Sequence, residues 1–311
     1  MTRVAITCIQ LLRDLERHRD PLDRLGWDVV PAKIPGQHLE GDALVAAMAG
    51  CAGVVAGDDK FTAEVLRALP DLRAISKWGI GIDGIDLDAA AARGIPVRNT
   101  PGVFDDEVAD VTMAYVTMLL RHLGAIDRGV RTGSWPKPPG TSLRGLTIGI
   151  IGLGGIGRAV IPRAHVAGMQ VIGSDPSPES AAIAADMGAR VVDVHEVFTT
   201  SDVISVNAPL VPATHHLLDA SAFGRMKPGV RIVNTGRGPV IDNDALVEAL
   251  RSGRVAGAAL DVFETEPLPG DHPLTTFDQV LLGSHNASNT LEASARVHDI
   301  AIANLIEELR R

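Results

Sequence analysis

Ile150-Ile151-Gly152-Leu153-Gly154-Gly155-Ile156-Gly157 reads as the end of a buried strand, a Gly-x-Gly-x-x-Gly turn and the start of a helix. Glycines at that spacing permit a tight turn, approach of a pyrophosphate to bare backbone, and close packing of helix on strand. The helix N-terminus adds unpaired amides and positive potential. Both flanks that this reading requires are present: Leu146–Ile151 is strand-like, and Arg158 to Ala167 is patterned as a helix. Asp175 stands 18 residues after Gly157, just past the next apolar run. A carboxylate there accepts hydrogen bonds from an adenosine ribose and repels a 2′-phosphate, which favours NAD over NADP. Pro176-Ser177-Pro178 offers no arginine for that phosphate.

Working outward, the second half of the chain repeats the alternation of short apolar runs with helix-like segments. The runs are Leu146–Ile151, Gln170–Ile172, Arg190–Val192, Val203–Val206, Arg231–Val233, Gly257–Val262 and Gln279–Leu282. The first half does the same with Val4–Ile9, Trp27–Val30, Gly53–Ala56, Leu72–Ser76 and Ile95–Val97, separated by Asp42–Met48, Phe61–Leu69 and Leu87–Arg93. Such alternation is the mark of parallel sheets with crossover helices, so the expected class is α/β with two doubly wound parallel-sheet domains. Asp105–Leu123 reads as a long helix, with Asp105 and Asp106 as capping carboxylates. Gly133–Gly140 breaks regular structure and is either an arm between elements or a domain boundary. Leu291 to Arg311 reads as a closing helix.

The totals agree. A chain of 311 residues exceeds one ordinary core, and 46% hydrophobic residues with 32 Gly and 19 Pro describe a turn-rich globular protein. A net charge of −9 carries no electrostatic footprint for nucleic acid, so an anionic ligand must be caught by local basic groups. The two cysteines, Cys8 and Cys51, form neither a disulfide framework nor a metal motif and read as small buried hydrophobes. His215-His216 also lacks the companions of a metal site, so no metal is expected. No apolar run reaches the ~18 residues of a membrane span, and no signal-peptide pattern opens the chain. The expectation is a cytoplasmic protein with no membrane partner.

Three polar groups follow strands of the second series. Arg237 lies between Gly236 and Gly238, just after Val230–Asn234; its rigid paired donors suit a carboxylate better than a lysine would. Glu266 precedes Pro267, and His285 follows Val280–Ser284. Carboxyl ends of parallel strands share one edge, which would gather an acid, a base and an anion clamp.

With these residues placed, the chain resembles the NAD-dependent, D-isomer-specific 2-hydroxyacid dehydrogenase family, over roughly residues 50 to 290. The resemblance is carried by Gly79-Ile80-Gly81-Ile82-Asp83, Asn99-Thr100-Pro101-Gly102, Gly152–Gly157, Met226-Lys227-Pro228-Gly229, Asn234–Gly238, Asp261–Pro267 and His285. It implies a Rossmann NAD-binding domain, 101–286, inserted into a flavodoxin-like substrate domain, 1–100 and 287–311, with the active site in the cleft and a homodimer formed through helix 105–123. It implies Arg237 as the substrate-binding arginine, His285 as the acid/base and Glu266 as its partner. Glu264 is the competing glutamate, but the family's residue directly precedes the proline. His285 would exchange the hydroxyl proton as hydride moves, and Glu266 would orient the ring and favour its protonated form. For NAD it implies Gly152, Gly154, Gly155, Ile156, Gly157, Asp175, Ala208, Pro209, Thr214, Thr235, Gly236 and Asp261, the last bonding the nicotinamide carboxamide. For a small anionic 2-hydroxy or 2-keto acid it implies the Ile80 and Gly81 amides with Arg237 and His285, and Lys77 near the substrate; the alternative for Lys77 is a solvated side chain. Ser284 and Asn286 depart from the family pattern beside the histidine, where proline usually precedes it. The leading activity is D-3-phosphoglycerate dehydrogenase. The alternatives are a hydroxypyruvate/glyoxylate reductase, a dehydrogenase of another phosphorylated or phosphonate 2-hydroxy acid and, of a different class, an NAD(H)-sensing scaffold like the corepressors that share this fold. Formate dehydrogenase is disfavoured, because that relative lacks the glutamate partner.

Overall fold

The computed structural model describes all 311 residues, Met1–Arg311. In chain order the elements are β1 (Arg3–Ile6), α1 (Ile9–His18), α2 (Asp20–Asp23), β2 (Asp28–Pro31), α3 (Gly41–Ala47), β3 (Gly53–Ala56), α4 (Ala63–Ala68), β4 (Ala74–Lys77), α5 (Leu87–Ala92) and β5 (Val97–Arg98). There follow α6 (Asp105–Leu120), α7 (Leu123–Arg131), β6 (Thr147–Ile151), α8 (Gly155–Val166), β7 (Gln170–Ser174), α9 (Pro178–Asp186), β8 (Arg190–Val191), α10 (Val194–Thr200) and β9 (Val203–Val206). The chain closes with α11 (Ala220–Arg225), β10 (Val230–Asn234), α12 (Asn243–Arg251), β11 (Val255–Leu260), β12 (Val280–Leu282) and α13 (Leu291–Arg310). Two compact units result: Met1–Val103 with Asn289–Arg311, and Phe104–Ser288.

The first unit is built on a five-stranded parallel sheet in the order β2-β1-β3-β4-β5. Short strands such as Gly53–Ala56, buried at every position, need helices on both faces, and the connecting segments supply them. Leu44, Met48, Phe61, Leu66 and Ile75 form its core. The closing helix α13 belongs to this unit: the Ser76 hydroxyl donates to the Ala301 carbonyl at 2.7 Å. Leu305 and Leu309 lie so close to Gly53 that a Cβ there would come within 2.7 and 2.8 Å of them. Cys8 and Cys51 are free and buried, as the sequence reading expects, and burial pushes the Cys8 thiol up to about 12.

The second unit is a seven-stranded parallel sheet in the order β12-β11-β10-β9-β6-β7-β8. Chain order reverses between β6 and β9, so the crevice rule for ligands points to the loops after these two strands. Two sequence expectations need correction, and a third that was left open is resolved. The helix expected over 105–123 ends at Leu120; His122 takes a left-handed φ of 55°, and a second helix, α7, starts at Leu123. Asp105 and Asp106 are not caps but occupy the first turn of α6, where their charge meets the helix dipole. The Gly133–Gly140 segment is an arm inside the second unit, and the unit boundaries fall at Val103/Phe104 and Ser288/Asn289. No helix is long and apolar enough to cross a membrane.

One buried histidine makes the first unit sensitive to acid. The Trp78 indole N–H donates to His298 Nδ1 at 2.9 Å, and both residues are buried. Burial, with the His18 ring opposite, pushes His298 down to about 4, while Asp14 and Asp299 pull the other way. His298 is therefore neutral in the folded chain, whereas an unfolded histidine protonates near about 6.5. A depressed folded value gives stability that is fully present above the unfolded value and is lost as pH falls toward the folded one. Stability should accordingly decline from about pH 6.5 toward about 4. In denaturant melts His298→Phe should show a shallower decline than the wild type; equal slopes would show that His298 does not carry the effect.

Candidate active site

The turn from β6 into α8 shows what each glycine does. Gly152 has φ 92° and packs on the 207–208 backbone, where a Cβ would sit 2.8 Å from the Ala208 nitrogen. A Cβ at Gly157 would overlap the Gly152 carbonyl oxygen, so α8 crosses the strand end only with a bare α-carbon. At Gly154 a Cβ would meet nothing within 4 Å, so this α-carbon faces open space at the helix N-terminus. Asp175, after β7, accepts from the Leu153 amide at 2.7 Å and the Ser177 amide at 2.8 Å. Those bonds fix its carboxylate beside the glycine turn.

The loop after β9 contributes Ala208, buried, and a turn in which the Thr214 hydroxyl donates to the Pro209 carbonyl at 2.6 Å and accepts from the Val211 amide at 2.9 Å. β10 ends in a turn clamped by Asn234: its Oδ1 accepts from the Gly236 amide and its Nδ2 donates to the Arg237 carbonyl, both at 3.0 Å. The Thr235 hydroxyl pairs with Thr112 on α6 at 2.8 Å and bonds Asn207 at 3.3 Å. Gly238 is packed so tightly on Phe263 that a Cβ would overlap its carbonyl carbon, which brings the Arg237 turn against the exit of β11. Arg237 is half-buried, with Nη1 donating to the Gly236 carbonyl at 2.9 Å.

After β11, Glu266 turns back to accept from the Phe263 amide with Oε1 at 2.9 Å, while Oε2 lies 2.7 Å from His285 Nδ1. An ionised carboxylate only accepts, so Nδ1 carries the proton and Nε2 is the ring atom through which His285 would meet another group. The His285 and Glu266 side chains are 39% and 31% exposed, enough for a small molecule to reach the ring. Glu264 is turned elsewhere, with Oε1 2.7 Å from His216 Nε2; the His216 ring stacks on His215. Asp261 is buried and accepts from the Asn286 and Ala287 amides at 3.2 and 2.8 Å.

In the first unit the Gly79–Gly81 loop is held by Asn99 and Thr100. The Thr100 hydroxyl accepts from the Gly79 amide at 3.1 Å, the Thr100 amide donates to the Gly79 carbonyl, and Asn99 Nδ2 donates to the Ile80 carbonyl at 2.7 Å. Lys77 is not a solvated side chain: it is buried, with Nζ donating to Asp58 at 3.1 Å and to the Trp78 carbonyl at 2.6 Å.

The second unit thus gathers the glycine turn, Asp175, Ala208, Pro209, Thr214, Thr235, Gly236, Arg237, Asp261, Glu266 and His285 on the loops that follow β6, β7, β9, β10, β11 and β12. Sequence reasoning gave neither Asn234 nor Tyr115 a functional role. Asn234 carried a signal, since an asparagine ahead of a glycine at a strand end is an Asx-turn pattern. For Tyr115 there was none, because on a helix it counts as one more apolar position.

The family model for the NAD binding domain of D-isomer specific 2-hydroxyacid dehydrogenases matches residues 113–287. A glyoxylate reductase of Thermofilum pendens is 41% identical over 258 residues, 81% of this chain and 76% of that protein. A hydroxypyruvate reductase of Thermotoga maritima is 37% identical over 93% of this chain and 96% of its own length. A rat D-3-phosphoglycerate dehydrogenase is 39% identical over 84% of this chain, but the match spans only 49% of that longer protein. Among solved structures, NAD-dependent formate dehydrogenase from Staphylococcus aureus, in complex with NAD, superposes with a TM-score of 0.88 at 28% identity, covering 100% of this chain and 96% of that one.

The glycine geometry separates packing from binding. Gly157→Ala should lower the thermal unfolding midpoint, because the methyl group has no space at the helix–strand crossing, while Gly154→Ala should leave it unchanged. Equal midpoints for the two variants would contradict this division.

Proposed function

This chain belongs to the D-isomer specific 2-hydroxyacid dehydrogenase family, NAD-dependent oxidoreductases acting on CH–OH donors, and we propose that it interconverts a small 2-keto acid bearing one carboxylate, glyoxylate or hydroxypyruvate, with the corresponding 2-hydroxy acid. The observation that carries the reading is the His285–Glu266 pair, 2.7 Å apart, on the same sheet edge as the Arg237 turn. NADH, when bound, supplies the hydride. The protein's own groups do the rest. Gly154 and the N-terminus of α8 would receive the pyrophosphate, with Gly152, Gly155, Ile156 and Gly157 shaping the turn, and Asp175 would receive the adenosine ribose. Ala208, Pro209, Thr214, Thr235, Gly236 and Asp261 would line the remainder of the cofactor. Arg237 would hold the carboxylate and the C2 oxygen, opposing negative charge as it develops there. His285 would donate the Nε2 proton to that oxygen in reduction and take it back in oxidation, with Glu266 holding the ring through Nδ1.

The pairing of Lys77, which the family resemblance sets near the substrate, supports an acid without a phosphoryl group. A phosphoryl group needs an available cation, and the Lys77 ammonium is already buried against Asp58 and the Trp78 carbonyl. Recruiting it would mean breaking that pair. D-3-phosphoglycerate is the second reading, favoured by the 39% identity to the rat enzyme. Steady-state NADH oxidation against glyoxylate, hydroxypyruvate and 3-phosphohydroxypyruvate separates the two. The first two acids should give the higher kcat/KM; preference for the phosphorylated acid would overturn the substrate assignment, and tight NADH binding without turnover of any acid would favour a sensing scaffold.

Cofactor choice is a separate test. With its carboxylate fixed by two amides, Asp175 should repel the 2′-phosphate and make kcat/KM with NADPH lower than with NADH by at least roughly tenfold, the equivalent of about 1.4 kcal/mol. Equal values would remove Asp175 from that role.

A further inference from the structure

We propose that Tyr115 is a positioning residue for proton transfer: its hydroxyl, bonded to the buried Asp261 carboxylate, fixes the loop that presents His285. The proposal rests on the reading of His285 as the acid/base.

Asp261 directly follows β11 and is 2% exposed. A carboxylate so far from water must be met by donors. It receives the Asn286 amide on Oδ1 at 3.2 Å and the Ala287 amide on Oδ2 at 2.8 Å, and its backbone carbonyl receives the His285 amide at 2.7 Å. Three consecutive residues therefore hang on one aspartate. His285 itself sits at φ 54°, in the left-handed region that a non-glycine residue occupies only when its surroundings impose it. The aspartate is what imposes it.

The aspartate is held in turn from α6. The Tyr115 hydroxyl lies beside the Asp261 carboxylate, both meeting the bare α-carbon of Gly283, and burial, together with the charge and hydrogen bond of Asp261, pushes the phenol up to about 12. It is thus a donor across any working pH. Space around the contact is closed: a Cβ at Gly283 would overlap Asp261 Oδ1 and lie 2.5 Å from the Tyr115 hydroxyl. A further tie joins the same two loops, since Glu266 binds the His285 ring and the Phe263 amide. The result is a chain from α6 through Tyr115 and Asp261 to the His285 backbone, with Glu266 fixing the side chain. Removing the phenolic donor leaves the carboxylate with two amides and weakens its hold on the loop without creating a void.

Tyr115 is the only tyrosine in the chain, so the contact can be watched directly. In the wild type, tyrosinate absorbance should rise only near pH 12, and in Asp261→Asn it should rise at lower pH. Ionisation of the wild type at the about 10 of a solvated phenol would overturn the contact itself. Kinetically, Tyr115→Phe should lower kcat for glyoxylate about tenfold, the scale of one hydrogen bond to a charged group, with NADH affinity by fluorescence titration unchanged. Wild-type kcat in Tyr115→Phe would overturn the proposal; so would weaker NADH binding at wild-type kcat, which would confine the Tyr115–Asp261 pair to cofactor binding. His285→Asn separates this failure from failure of the underlying reading. If that variant keeps wild-type kcat, the acid/base assignment is wrong; if it is inactive while Tyr115→Phe is unimpaired, only the positioning role is lost.

Discussion

Bare backbone packed on bare backbone, along the carboxyl edge of the seven-stranded sheet, is the contact on which the site depends. Gly152 rests on the 207–208 backbone, a Cβ at Gly236 would stand 3.1 Å from the Ala208 carbonyl oxygen, and Gly238 rests on Phe263. Each contact joins the loops of neighbouring strands: β6 to β9, β9 to β10, β10 to β11. A side chain at any of these positions would wedge two loops apart and misplace Arg237 relative to Glu266 and His285. The glycines matter here less for backbone freedom than for the volume they leave out.

Within that frame, hydrogen bonds decide what each charged group is able to do. Glu264 and Glu266 are two residues apart, yet one faces His216 and the other His285. Only Glu266 is also anchored by a backbone amide, from Phe263, and this makes its carboxylate a fixed orienter rather than a mobile surface charge. Lys77 makes the same point in reverse: a cation with a nearby carboxylate and a carbonyl as partners is committed before any substrate arrives.

Much of this was legible in the sequence because it is local. The alternation of strands and helices, the glycine turn and the Arg237 turn are patterns within about ten residues, set by period and by glycine chemistry. Gly53–Ala56 and Val203–Val206 even fall on the residues expected of them. What escaped depends on partners distant in the chain. The break at His122 has neither a proline nor a glycine to announce it, so 105–123 read as one helix. Lys77 is paired with a residue 19 positions away and could not be told from a solvated lysine. The bonds of Asp261 to the Asn286 and Ala287 amides join residues 25 and 26 positions apart, which no local pattern announces. The unit boundary lies at Val103/Phe104, where α6 begins, and of the two readings left open for the Pro/Gly-rich arm the fold takes the one inside a unit: Pro136 lies against Gly129 of α7, and Gly140 against Arg121.

Proton donation by a histidine that a glutamate holds in place is the central claim, and single-turnover oxidation of bound NADH by glyoxylate in Glu266→Gln tests it most directly. An amide keeps the shape but loses the charge that favours and orients the donor ring, so the rate should fall by roughly 10²-fold or more, on the scale of general acid–base catalysis, while NADH affinity is retained. A single-turnover rate equal to that of the wild type would contradict it.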